Sequence, residues 1–219
     1  MKAISFVLST LLLSVGLLIT PAAKAQNGAF APYVDIGIAV AGSDSVLVST
    51  EAIGNVGAGI ESSSKHLLLD VNGQFTSANG FTTASGYTDS VNGSGYLKAG
   101  AFLLGGGASY SNQIVGVPTT FGNLATGFVT TVEHINVTQV RPFIGAGLQL
   151  PRDRVIVNYF LPGSDPSGLA GGPAFQVHNE IFLSNHGLFD HIRFVQNLDF
   201  VNNTTGTTWI VGGGLKFVL

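Results

Sequence analysis

The segment QVHNEIFLSNH holds the side chains best suited to chemistry in this sequence. Gln176, His178, Glu180, Ser184 and His186 all stand at even positions, so an extended backbone turns them to one face. A hydroxyl, an imidazole and a carboxylate are the parts of a nucleophilic triad, in which the imidazole takes the hydroxyl proton and the carboxylate orients the ring. Spacing restricts the set. Six residues of strand cover about 20 Å, so His178 does not reach Ser184. Ser184 and His186 can meet, and with a carboxylate, Glu180 or one from a neighbouring strand, they make up the hydrolytic alternative. The plainer reading is a polar network lining an interior, and no catalytic residue is assigned on it.

Other motifs carry less. His66, His134, His178, His186 and His191 have no metal-ligand spacing such as His-Glu-x-x-His, so neither metal nor cofactor is expected. GNVGAG at 54–59 and the glycine triplets at 105–107 and 212–214 lack the Lys-Ser/Thr or the helix of a phosphate loop. Small residues in a crowded wall explain them. Asn92, Asn136 and Asn203 sit in glycosylation sequons that arise by chance in a chain rich in Thr and Asn.

The elements that must position these residues are strands. From Phe30 to Val40, Phe30, Pro32, Val34, Ile36, Ile38 and Val40 alternate with Ala31, Tyr33, Asp35, Gly37 and Ala39. Period two is the strand signature. It returns at 67–75, at 140–150, through Val155, Val157, Tyr159 and Leu161, through Phe175, Val177, Ile181 and Leu183, through Ile192, Phe194, Leu198 and Phe200, and at 208–219. Weaker copies lie near Glu51 to Glu61, Asn92 to Lys98 and Phe102 to Gln113. The connections alternate between long Gly/Ser/Thr/Asn-rich stretches and short ones such as SSSKH, RDR and HGLFD. That alternation belongs to a transmembrane barrel with long outer loops and short periplasmic turns. The fold expected is all-β, a closed antiparallel transmembrane β-barrel. Ten strands result if a tight turn interrupts LKAGAFLL, and eight if it does not.

The N-terminus reads as an export signal: Lys2, the apolar run Ile4 to Ile19, and a small-x-small site at Ala23-Lys24-Ala25. The run is shorter than the roughly 20 residues of a spanning helix. The expected organisation is a signal peptide over 1–25 and one barrel domain over 26–219. Beyond the leader there remain seven basic and twelve acidic residues, a formal charge of −5, which argues against nucleic acid. Charged residues make up 10% of the chain, against about 25% in an ordinary soluble domain, and with no cysteine there is neither disulfide nor lipoprotein acylation.

The second face of the strands decides which side is outside. In a soluble ligand-binding barrel that face meets water and is charged. Here it holds Gly37, Ala39, Gly57, Gly59, Gly145, Gly147, Gly212 and Gly214 with single charges between them, as a narrow interior requires. The inward charges are Asp35, Glu61, Asp70, Arg141, Glu180, Arg193, Asp199 and Lys216. An unpaired charge in such an interior is costly, so pairing is expected. Closure sets Asp35 beside Lys216, and consecutive strands set Glu180 beside Arg193. Tyr33, Tyr96, Tyr159 and Trp209 suit interfacial girdles.

The last strand, TWIVGGGLKFVL, turns Trp209, Val211, Leu215, Phe217 and Leu219 to lipid. In this pattern the chain resembles the small bacterial outer-membrane barrels of the OmpA and OmpX kind, whose final alternating strand is used by the insertion machinery. Members of that family usually end in an aromatic residue, whereas this sequence ends in Leu219 with Phe217 two places earlier. The resemblance implies outer-membrane lipid and lipopolysaccharide as surroundings, periplasmic chaperones and the insertion machinery as partners, and a monomer. With Leu219 closing the last strand, no periplasmic peptidoglycan-binding domain of the OmpA type is expected. Lipid A deacylases among small barrels use a Ser/His/acid set on the lipid-facing wall, and no His-x-Ser-Asn order matches it here. The function expected is non-enzymatic: envelope structure or surface interaction through the outer loops. A narrow solute pore, a lipid hydrolase and a soluble periplasmic ligand-binding barrel are the alternatives. The stretch Gly116 to Asn136 is expected to be the longest loop and the contact surface.

Overall fold

A computed structural model describes residues 30–43, 51–78, 87–123, 127–162, 174–183, 191–203 and 206–219. The expected signal peptide, and Ser184 and His186, lie outside the described residues. Ten strands follow one another: β1 (Phe30–Ser43), β2 (Glu51–Ser63), β3 (Leu67–Ala78), β4 (Tyr87–Ala99), β5 (Phe102–Asn123), β6 (Gly127–Gln149), β7 (Asp153–Phe160), β8 (Ala174–Phe182), β9 (Ile192–Asn203) and β10 (Gly206–Val218). Each pairs antiparallel with its successor, and β1 pairs with β10, from Tyr33↔Val218 to Ser43↔Thr208, so the sheet closes and leaves no edge along its wall.

The eight-strand alternative is overturned at the stretch LKAGAFLL. Gly100 takes φ +64° there, a conformation glycine adopts without the clash a Cβ would make, and with Ala101 it turns β4 into β5. The other short turns need less. Between β2 and β3, the Ser64 hydroxyl accepts hydrogen bonds from the amides of His66 (3.3 Å) and Leu67 (3.0 Å). Between β6 and β7, the Leu150 amide donates to the Asp153 carbonyl at 2.7 Å. Each satisfies backbone groups that a strand end would leave open.

The expected loop from Gly116 to Asn136 is in fact a ribbon. Pairing between β5 and β6 runs without a break from Phe102↔Leu148 to Asn123↔Gly127. The segments IVGVPTTF and FVTTVEHINV are rich in β-branched residues and phenylalanine, which suit strands. The length and the Gly and Thr content of the stretch suggest a loop, but its β-branched residues pair, and Pro118 is accommodated where a strand has no partner on one side. Among the described residues, β4 pairs with β5 only as far as Gln113 and β7 with β6 only from Phe143. The ten residues of β5 beyond Gln113 therefore give the ribbon roughly 30 Å of length, along the strand, past the last described pairing with β4.

The sides of the wall fall as the parity demands, and the soluble-barrel alternative fails on them. Ile38 (77% exposed), Phe30, Leu97, Leu104 and Ile144 point outward, whereas Glu61, Glu180, Arg154 and Lys216 are buried inside. A barrel in water places such residues the other way round. This one has an apolar belt for a hydrocarbon solvent, and the closed ladder satisfies its backbone, as a membrane requires. Tyr33 and Tyr96 depart from the girdle expectation, since both are buried in the lumen. Tyr159 lies at the wall and packs on Phe175 with ring centroids 4.8 Å apart.

Candidate functional site

The lumen is filled at its short-turn end. Glu61, Glu180 and Lys216 are each third from the end of β2, β8 and β10, and Arg154 and Arg193 are each second in β7 and β9. All five sit at one height because the short turns and the C-terminal end of β10 lie on the same side of the barrel. Their side chains converge across the lumen.

Glu61 Oε1 accepts from Arg154 Nη2 at 3.0 Å, and its Oε2 accepts from Arg193 Nη1 at 2.8 Å and Lys216 Nζ at 3.0 Å. Glu180 is bound by the same cations: Lys216 Nζ at 2.9 Å on Oε1, Arg193 Nη1 at 3.0 Å and Arg154 Nη1 at 3.4 Å on Oε2. Two carboxylates are thus each held by three cations, in a site where side-chain exposure is 4% or less for all but Arg193. Burial of unpaired charge is expensive, and here every charge has partners with hydrogen-bond geometry.

A further layer fixes the cluster. Asp70 Oδ2 stands 3.7 Å from Lys216 Nζ, and Asp70 Oδ1 accepts the Tyr33 hydroxyl at 2.7 Å. Lys216 Nζ lies 3.8 Å from the centroid of the Tyr33 ring, while Arg193 and Arg154 lie 4.7 Å and 5.6 Å from that of Phe182, within cation–π reach. His178 bridges Glu180 Oε1 (3.2 Å from Nε2) and Asn197 Oδ1 (2.6 Å from Nδ1). Glycines make the room. A Cβ on Gly59 would stand 2.6 Å from the Tyr33 ring, and one on Gly57 would stand 2.7 Å from the Asp35 carboxylate.

The rest of the same end is apolar. Leu68, Tyr96, Leu103, Phe143 and Ile156 form one buried cluster with Phe160 against it, and Phe143 and Phe160 pack with centroids 4.9 Å apart. The Tyr96 hydroxyl, the polar tip of this cluster, donates to Asn158 Oδ1 at 2.7 Å, and Asn158 continues to Gln176 at 3.3 Å. Ions and apolar packing together span the lumen.

Of the eight inward charges expected from the sequence, the structure brings Glu61, Asp70, Glu180, Arg193 and Lys216 together and leaves three apart. Asp35 registers across from Lys216, but the lysine side chain turns to Glu61 and Glu180. Arg141 lies over the Phe160 ring at 5.1 Å. Asp199 faces inward on β9 with a shielded Oδ1 that has no hydrogen-bond partner. Arg154, which sequence reasoning placed in a turn, is central. The signal was available: the outward row Val155, Val157, Tyr159 makes position 154 inward. Glu180, offered as a triad acid, is committed to Lys216, Arg193, Arg154 and His178, while Ser184 and His186 lie outside the described residues. Trp209, Val211, Leu215 and Phe217 form the outward row of β10, and the Leu219 amide donates to the Pro32 carbonyl at 2.8 Å. Among the described residues, no three His, Asp or Glu side chains form a metal-holding group.

No family model matches the chain, and no curated protein matches it. Among solved structures it is similar to the translocator domain of the autotransporter NalP from Neisseria meningitidis, at 11% identity and a TM-score of 0.48, over 99% of this chain and 95% of that one. It is also similar to the β domain of the Bordetella autotransporter BrkA, at 9% identity and 0.44, over 86% and 99%. A third is Ail, the attachment invasion locus protein of Yersinia pestis, at 11% identity and 0.36, over 88% and 100%. At these identities and scores the likeness is one of barrel architecture only.

Proposed function

We propose that the chain is an integral, non-enzymatic protein of the bacterial outer membrane, exported by its N-terminal leader, whose closed lumen serves as a rigid base for the β5–β6 ribbon. On this reading the ribbon meets partners outside the cell. The observation that carries it is the contrast between the two ends of the barrel. The short-turn end is filled by ions and packed side chains, while at the opposite end β5 and β6 stay paired with one another for roughly 30 Å of strand beyond the last described pairing with β4. Beyond Gln113 on β5, and before Pro142 on β6, each edge lacks a partner among the described residues. Open strand edges present rows of backbone donors and acceptors, to which an extended peptide can add as a further strand.

The test compares cells displaying the wild type with cells displaying a variant whose residues 116–135 are replaced by a two-residue turn. Adhesion to protein-coated surfaces is measured, and heat-dependent electrophoretic mobility reports on the barrel. Adhesion lost in the trimmed variant, with the heat shift kept, is the expected result. Equal adhesion removes the ribbon from the function. Unit conductance steps of the wild type in planar bilayers would put the narrow-pore reading in its place, and release of fatty acid from lipopolysaccharide, lost in Ser184→Ala, would do the same for the hydrolase.

A further inference from the structure

The lipid-facing wall contains a polar island. On β8 the outward row is Phe175, Val177, Asn179, Ile181 and, just past the strand, Leu183; on β9 it is Ile192, Phe194, Gln196, Leu198 and Phe200. Asn179 and Gln196 are each the middle member, they register directly across from one another, and Asn179 Nδ2 donates to Gln196 Oε1 at 3.0 Å. Their outward neighbours are apolar: Val177, Ile181, Phe194 and Leu198 along the two strands, and Val155 across from Asn179. The pair therefore lies inside the apolar belt, with two apolar residues on either side of it along each strand.

One bond does not satisfy two carboxamides. Gln196 is exposed, and among the described residues its side chain bonds only to Asn179. Its Nε2 keeps two N–H donors, and its Oε1 has room for a second donor. In hydrocarbon such groups need a partner from another molecule in the membrane plane.

Gly213, across from Gln196 on β10, supports close approach. Inside the barrel, a Cβ on Gly212 would stand 2.9 Å from the Ala39 Cβ, and one on Gly214 would collide with the Ile36 carbonyl. A Cβ on Gly213 would have its nearest neighbours, Phe194 and Val195, at 3.6 Å, so this chain's own packing does not require a glycine there. Its absence of side chain lowers the wall beside the amides.

We propose that the β8–β9–β10 wall is a homodimer interface, in which Gln196 of each copy donates from Nε2 to Oε1 of the other. The primary amide is self-complementary. A two-fold axis through the pair gives two equal hydrogen bonds from one surface patch, as an isologous interface requires. This revises the monomer expected from the sequence and rests on the membrane reading above.

The chain has no cysteine, so single cysteines report contacts without background. Gly213→Cys is compared with Gly93→Cys, which faces lipid on β4 with nothing within 4 Å of its Cβ, by oxidative cross-linking in native membranes. The expected result is a band at twice the barrel mass for Gly213→Cys alone. In lipid, the double variant Asn179→Leu/Gln196→Leu is expected to weaken the dimer about tenfold while keeping the heat-dependent shift. No cross-link at position 213, equal cross-linking at both positions, a cross-link to a different protein, or an unchanged dimer in the double variant would each overturn the proposal. Loss of the heat shift in the wild type would instead mark failure of the membrane reading itself.

Discussion

The lumen is filled in two ways toward its short-turn end. Around β2, β8, β9 and β10 it is closed by Glu61, Glu180, Arg193 and Lys216, joined across the barrel by Arg154. Around β3 to β7 it is closed by Leu68, Tyr96, Leu103, Phe143 and Ile156. The apolar half gains from every contact it makes, and loses in proportion to the atoms removed. The ionic half gains little over an apolar filling, because desolvation cancels much of the attraction, yet it loses heavily when one member goes. Equal closure thus conceals unequal tolerance to change.

The sharpest break is Glu180→Ala. It leaves Lys216, Arg193 and Arg154 sharing Glu61, with Asp70 3.7 Å from Lys216, and His178 loses one of its two acceptors and keeps Asn197. Unfolding by urea in lipid vesicles should show a loss of roughly 3–5 kcal/mol, accompanied by conductance in planar bilayers absent from the wild type. A loss below about 1 kcal/mol would mean that water already enters the cluster.

Phe143→Ala breaks the other half. Phe143 is 6% exposed and packs against Phe160, so removal of its ring should cost about 3 kcal/mol through lost contacts and a cavity. The same urea titration measures it. Restoring volume in the same position, with Phe143→Leu, should recover more than half, whereas no shape substitute recovers Glu180→Ala unless it carries a negative charge. Glu180→Asp is the matching control.

Tyr33→Phe lies where the halves differ least. The ring stays under Lys216, so the cation–π contact survives, and the 2.7 Å bond to Asp70 is lost. A hydrogen bond to a charged acceptor is worth about 2 kcal/mol, and the unfolding free energy from the urea titration should fall by that amount. An unchanged midpoint would show that Asp70 finds another donor.

The comparison also marks what the sequence could reveal. Parity assigned the faces of β1, β6, β7 and β10, and closure set Asp35 opposite Lys216 in register. Parity does not give height, and it says nothing of strands across the lumen. Arg154 and Glu61 lie on β7 and β2, which are not neighbours in the sheet, so their meeting depends on how far each strand is staggered along the axis. Glu180 and Arg193 lie on adjacent strands, and that pair was legible. The ribbon was not, because Gly116 and Pro118 carry loop signals that a strand paired on one side only tolerates. Tyr33 and Tyr96 misled through their usual place at membrane interfaces, although their own parity pointed inward.

Replacing the whole ion set at once separates the two halves of the lumen most directly. If the ionic half differs from the apolar half only in tolerance, then replacing the whole set at once should cost almost nothing. The variant is Glu61→Leu, Glu180→Leu, Arg154→Met, Arg193→Met and Lys216→Met, which keeps approximate volume and removes every member of the two-carboxylate, three-cation lattice. Asp70 keeps its bond from Tyr33, and His178 keeps Asn197. Buried ion sets exchanged for apolar residues of similar size are commonly neutral or stabilising, so the unfolding free energy should stay within about 1 kcal/mol of the wild type. The sum of five separate alanine substitutions would be many times larger, and that non-additivity is the signature of a closed charge network. A large loss in the fivefold variant would place the value of the cluster in its own bonds, and the two halves of the lumen would then be alike in energy.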